Sequence, residues 1–155
     1  MDSIIELART LGPYAICGEG NVSVKDDDCF WVKASGTSLD TLEKKDLVAC
    51  KMSGVPFDSL GLKPSIETSF HAWLQREFDA IKFVAHTHPP KTMQVVCSEQ
   101  IYSFAEHRLF PDQVVRNGAK SCVVPYAMPG KPLLEEIKKS VLAFIEIEEY
   151  FPKLI

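Results

Sequence analysis

The sequence predicts a fold of the α/β or α+β class on a mixed sheet, and three observations carry that reading. Apolar residues recur at helical spacing over residues 3–11 and 64–78. Short β-prone runs at 22–25, 30–33 and 47–52 are punctuated by turn residues. From residue 81 onward, strand-like and helix-like segments alternate. With 155 residues, one domain is expected, long enough to bury a sizeable core.

The elements follow in chain order. Residues 3–11 place Ile4, Ile5, Leu7, Ala8 and Leu11 at helical spacing, with Ser3 as N-cap and Gly12-Pro13 as the stop. Strands 22–25 and 30–33 flank an Asp26-Asp27-Asp28 turn. Ser35-Gly36-Thr37 is a loop, and 47–52 is a third strand ended by Ser53-Gly54. Residues 64–78 form a helix whose apolar stripe is Ile66, Phe70, Trp73 and Leu74. A strand at 81–88, a helix at 89–97 and a strand at 121–124 come next. After a loop at 125–132, residues from Leu133 onward read as helix.

Composition excludes several classes. The 46% hydrophobic and 25% charged content is that of a soluble globular chain. A net charge of -4 without basic runs or RNA-binding aromatic motifs argues against a nucleic acid or a membrane surface as partner. No apolar stretch reaches the length of a membrane span. The start, Met1-Asp2-Ser3-Ile4-Ile5-Glu6, has no basic region followed by a long apolar one, so a cytoplasmic location is expected. Cys17, Cys29, Cys50, Cys97 and Cys122 are scattered, odd in number and form no CxxC; the last four have apolar neighbours. They read as small buried residues in a reducing compartment.

Four short segments carry chemistry. His86-Thr87-His88-Pro89 ends an apolar run. On a strand, residues two apart point to one side, so His86 and His88 would aim two imidazoles at one point, a geometry suited to zinc. As an isolated motif it is equally an ordinary polar strand end. Gly18-Glu19-Gly20-Asn21-Val22-Ser23 offers bare amides and the Asn21 side chain to an anion, or is a plain turn. Ala34-Ser35-Gly36-Thr37 offers hydroxyls around a glycine, or is a plain loop. Lys63-Pro64-Ser65-Ile66-Glu67 opens the helix that holds His71, and its first-turn amides suit a phosphate. Glu67 there is either a helix-dipole residue or a proton carrier beside a metal.

The order Gly-Asn-x-Ser, Ser-Gly, Pro-Ser-x-Glu, His-x-His-Pro resembles the class II aldolase/adducin family. That family includes fuculose- and rhamnulose-phosphate aldolases, ribulose-phosphate 4-epimerase and the adducin head. The resemblance covers roughly residues 7–136, and Val124-Pro125-Tyr126-Ala127-Met128-Pro129-Gly130 fits the family's loop before its next helix. It implies a three-layer α/β/α sandwich around a mostly antiparallel sheet, in a ring-like homotetramer with the site near a subunit boundary.

The resemblance also implies roles. His86 and His88 would be two of three Zn2+ ligands. Gly20, Asn21, Ser35, Gly36 and Ser65 would cradle the phosphate of a sugar-phosphate substrate. Glu67 would be the acid/base, and His107 lies where some family aldolases carry a proton donor from a neighbouring subunit. The implied activity is cleavage of a ketose through a zinc-stabilised enediolate. A 4-epimerase, a dehydratase of the same family and a non-catalytic adducin-like binding module are the alternatives. Members with a second serine after Pro-Ser use it on phosphate; here that residue is Ile66. The family's third metal histidine follows the helix equivalent to 133–140, yet no histidine follows His107. The expectation is a single domain over 1–155 that lacks a segment near 140–141; one continuous helix from 133 to 150 also fits the pattern.

Overall fold

The computed structural model describes residues 1–16, 19–57 and 61–155. Cys17 and Gly18 lie outside the described residues. The chain forms two compact units, Met1–Pro90 and Lys91–Ile155.

In the first unit, α1 (Asp2–Leu11) buries Ile4, Ile5 and Ala8 at the expected spacing and stops at Gly12. Ser3 is inside the helix rather than at its cap; the cap position is Met1, with no side-chain bond. Asp2, in the first turn, favours the positive end of the helix dipole.

Among the described residues four strands follow: β1 (Asn21–Asp26), β2 (Cys29–Lys33), β3 (Leu47–Lys51) and β4 (Phe83–His86), in the order β3-β2-β1-β4. Every pairing is antiparallel, so the expected mixed sheet is corrected. The cause at β1–β2 is local. Only Asp27 and Asp28 link the two strands, with Asp27 in the left-handed region at φ 49.

Alternation along the strands gives the sheet two apolar faces. One face packs Val22, Val24 and Leu47 with Ile4, Ile5, Ala8, Leu39 and Leu42. The other packs Phe30, Val32, Val48 and Cys50 with Ala34 and with Ala72 of α2 (Thr68–Glu77). The sheet thus lies between α1 and α2, in three layers. Cys50 is buried among these residues, which pushes its thiol up to about 11 and leaves it a small hydrophobe.

Helix α2 starts four residues later than its apolar pattern predicts. Pro64 bridges to Ala34, and Ser65 N donates to Lys33 O at 3.1 Å, so the chain stays extended through Ser65. Ile66 accordingly leaves the predicted stripe and is 68% exposed, while Phe70, Trp73 and Leu74 are buried as expected. Strand β4 is also shorter than predicted and ends at His86.

The second unit is helical, with α3 (Pro90–Val96) starting at the boundary, then α4 (Ile101–Glu106), α5 (Pro111–Asn117) and α6 (Lys131–Glu148). The strand expected at 121–124 is not formed. Ser121 N bonds Ala105 O and Cys122 N bonds Leu154 O, single anchors to non-strand segments. The Ser140–Val141 junction lies inside α6, a continuous helix that buries Ile137 and Val141. Cys122 is buried as expected, but Cys97 is exposed and Cys29 only half-buried.

Candidate active site

Strand register builds the centre of the site. Asn21 of β1 is the cross-strand partner of His86 of β4, so their side chains leave the same face of the sheet side by side. That face is covered by α2, whose N-cap position is Glu67. Glu67 makes no capping bond. Its Oε2 instead accepts from Asn21 Nδ2 and from His86 Nδ1–H, each at 2.5 Å. A residue kept only for the helix dipole has no need of these two partners. Burial pushes the Glu67 carboxyl up, but the hydrogen bonds from His86 and Asn21 work against it, and the group is held below its usual value.

His88 lies beyond the end of β4, so strand alternation does not orient it. Its backbone N–H donates to Tyr14 O at 2.9 Å, and its Nδ1–H donates to Glu19 Oε2 at 2.7 Å. Both imidazoles are thereby fixed in one tautomer: each gives Nδ1–H to a carboxylate and keeps the lone pair on Nε2. The two Nε2 atoms face each other at 3.0 Å. Two lone pairs at that distance repel unless a cation or a proton lies between them. Two zinc–nitrogen bonds at the tetrahedral angle would separate the nitrogens by about 3.3 Å, only a few tenths more. Carboxylates behind metal-binding imidazoles are the usual supporting arrangement. The donor set therefore fits a divalent cation at two positions. Among the described residues no group of three His, Cys, Asp or Glu side chains is arranged to hold one.

A cleft of about 350 Å3 opens beside this pair, lined by all five expected anion-site residues together with Lys33, Glu19 and Ile66. Gly20, Asn21, Ser35, Gly36 and Ser65 come from three separate segments, and the bridge between Ala34 and Pro64 draws two of them together. Ser35 Oγ donates to Pro64 O at 3.0 Å, and Ser65 Oγ accepts from Glu67 N at 3.3 Å. The helix-start amides predicted at Ser65 are displaced to α2, so backbone and hydroxyls of an extended segment line the cleft instead. Gly20 has a steric reason to be glycine: its φ is +91, and a Cβ there would meet His86 O at 2.6 Å.

Lys33 and Glu19 were not expected here. Lys33 is buried, its ammonium donating to Thr37 O at 2.5 Å and Ala34 O at 3.2 Å beneath the Ser35-Gly36 loop. Burial pulls its pKa down, partly opposed by Asp46. A buried cation beside hydroxyls and a bare glycine suits an anionic ligand. A signal was present: Lys33 ends an apolar strand directly before Ala-Ser-Gly-Thr. For Glu19 there was only its position between two glycines.

His71 is fully buried on α2, with Nδ1 2.8 Å from Ser23 Oγ, and does not line the cleft. His107 belongs to the second unit. It is exposed, and its Nδ1–H donates to Ser103 O at the end of α4.

The chain matches, over residues 4–148, the family described as Class II Aldolase and Adducin N-terminal domain. A 3-oxo-tetronate 4-phosphate decarboxylase of Haemophilus influenzae is 30% identical over 124 residues, 79% of this chain and 58% of that one. An L-fuculose phosphate aldolase of Methanococcus maripaludis is 31% identical over 90 residues, 57% of this chain and 48% of that one. Other relatives carry the names "Probable L-ribulose-5-phosphate 4-epimerase" and "Methylthioribulose-1-phosphate dehydratase". The chain spans about half the length of the curated relatives it matches. The crystal structure of YgbL from Escherichia coli superposes with a TM-score of 0.77 at 24% identity, over 89% of this chain and 68% of that one, and shows the fold to be shared. On this match, the fold and the order of its motifs, the chain belongs to the class II aldolase/adducin family.

Proposed function

We propose that this chain carries the catalytic site of a metal-dependent aldolase that cleaves a phosphorylated ketose. The observation that carries the reading is the convergence of His86 Nε2 and His88 Nε2 at 3.0 Å, with Glu67 bonded to the first of them. His86 and His88 would hold Zn2+, which when bound supplies Lewis acidity at the ketose carbonyl beside the breaking bond. Glu19 and Glu67 keep the two imidazoles in the ligating tautomer. Lys33, Ser35, Gly36 and Ser65 grip the phosphate and fix the sugar's orientation, taking no part in bond breaking. Glu67, whose two bonds both fall on Oε2, moves a proton to and from the carbon left by cleavage. Four-epimerisation, dehydration and a non-catalytic binding role are the alternatives within the same family. The working form in this reading is a cytoplasmic homo-oligomer, a tetramer. The exposed Leu109, Phe110 and Val115 of the second unit support association.

One observation favours a second reading. The Haemophilus influenzae relative bears the name of a decarboxylase acting on a 3-oxo acid phosphate. Both reactions break a carbon–carbon bond next to a carbonyl and need a proton delivered afterwards; they differ in whether an aldehyde or carbon dioxide leaves. The test is a panel of ketose phosphates, unphosphorylated ketoses and 3-oxo acid phosphates, assayed for aldehyde and for carbon dioxide. Aldehyde release by the zinc-loaded protein, reduced on the order of 10²-fold or more in Glu67→Gln with zinc retained, is expected. Carbon dioxide release alone would replace the aldolase reading with the second one. Cleavage by Glu67→Gln at nearly the wild-type rate would return Glu67 to a structural role.

A further inference from the structure

Three polar residues of α2 run in step with β1. Glu67 bonds Asn21, and His71 bonds Ser23. Gln75 bonds Lys82 O, which also accepts from Lys25 N. The match is geometric: four helical residues rise about 6 Å and two strand residues about 6.7 Å, so each turn of α2 meets the next residue on the same face of β1.

Within this ladder some buried atoms lack partners among the described residues: Asn21 Oδ1, His71 Nε2 and Gln75 Oε1. A buried polar atom left unpaired is costly, so the chemistry of these orphans matters. If Ser23 O–H donates to His71 Nδ1, the hydroxyl is satisfied and His71 carries its proton on Nε2, a donor. The reverse tautomer leaves the Ser23 hydroxyl hydrogen without an acceptor and both Nε2 and Asn21 Oδ1 as unpaired acceptors. The first assignment places an orphan donor one turn of α2 from Glu67, the residue that holds Asn21. Burial also keeps His71 uncharged, with a pKa near 3.

Resting on the catalytic reading of Glu67, we propose that His71 is a positioning residue: its Nε2–H reaches Asn21 Oδ1 across one buried water molecule. The bond fixes which way the Asn21 amide faces. With Oδ1 held inward, Nδ2 must point at the Glu67 carboxylate, and its second N–H remains for the cleft. A flipped amide would set a carbonyl oxygen against that carboxylate. Ser23, His71 and Asn21 are then a chain of neutral groups that holds the carboxylate in one place.

Two experiments test this, one independent of activity. In full-length protein labelled with ¹⁵N-histidine, the His71 ring should be the Nε2–H tautomer, with a solvent-protected low-field proton. That signal should vanish in His71→Gln and move strongly in Asn21→Ala. An Nδ1–H tautomer, or a signal indifferent to Asn21→Ala but moved by Gln75→Leu, would overturn the proposal. The second experiment compares two variants on a substrate that the wild type cleaves. Glutamine places an amide near the Nε2 position and asparagine near Nδ1. His71→Gln should stay within about twofold of wild-type kcat, while His71→Asn loses about tenfold with KM kept. Equal losses in both variants, or a change in KM alone, would reduce His71 to a packing residue. If no compound is cleaved, the catalytic reading fails, and the resonance still decides the hydrogen bond.

Discussion

The two site histidines differ in how they are held, and that difference was not visible in the His-x-His spacing. His86 is placed by the β1–β4 register and by Glu67. His88 is placed by Tyr14 O and Glu19, after the strand has ended. Replacing either by Ala removes one of two converging donors, so bound zinc should fall to a small fraction of the wild-type content in both variants while circular dichroism is unchanged. Wild-type zinc in either variant would place the metal elsewhere. His71 governs a different property. Its pKa in the folded protein is about 3, against 6.5 for a free imidazole. Between those values the unfolded chain binds the extra proton and the folded one does not, so stability falls as pH falls through this window. The slope approaches about 1.4 kcal/mol per pH unit below pH 6, and the loss is about 2 kcal/mol between pH 7 and pH 5. Urea unfolding at pH 7, 6 and 5 should show this loss in wild type, and His71→Asn should flatten it. Equal slopes in the two proteins would assign the acid sensitivity to other groups.

At the scale of elements, loop geometry decides whether the site forms. Gly20 passes so close to the end of β4 that an added Cβ would meet His86 O at 2.6 Å and Leu39 Cδ1 at 3.3 Å, at a φ of +91. Gly20→Ala should therefore cost about 2 kcal/mol or more and displace Asn21 and His86, lowering zinc content together with stability. Gly36 has φ +81 but open space around it, so Gly36→Ala should cost only about 1 kcal/mol and leave zinc binding intact. Matching losses in both variants, read by urea unfolding and metal content, would mean that φ strain alone matters. The same loops mark what was legible in sequence. The β1–β2 hairpin, β3 and the apolar positions of α1 and α2 were readable because each follows its own period and ends in turn residues. The start of α2 was not. Pro64-Ser65 has the composition of a helix start, but the bridge to Ala34 and the Ser65–Lys33 bond keep it extended. The period of residues 121–124 fits a strand, yet they have no strand partner. Lys33 escaped notice because its burial comes from the loop folded over it, a tertiary fact that no local pattern records.

Across the whole molecule, the histidine count bears on the proposed metal site. The chain has four histidines: two converge in the cleft, His71 is buried against Ser23, and His107 bonds Ser103 O in the second unit. Catalytic zinc sites usually take three protein ligands, and the described residues present two converging nitrogens. A cation held by the His86 and His88 imidazoles alone would leave room in the cleft for a chelating ligand. Cation and ligand should then bind cooperatively, each raising the affinity for the other by the same factor. The prediction is specific to a two-donor site in this chain. Zinc titrations should give a weak affinity alone and one at least about tenfold tighter with a saturating hydroxamate that carries a phosphate, a mimic of a chelating ketose phosphate. The reciprocal titration of the hydroxamate with and without zinc should return the same factor. Inorganic phosphate, which carries no hydroxamate to chelate the cation, should raise zinc affinity far less. Tight zinc binding without any ligand, unchanged by the hydroxamate, would mean that a third protein donor completes the site.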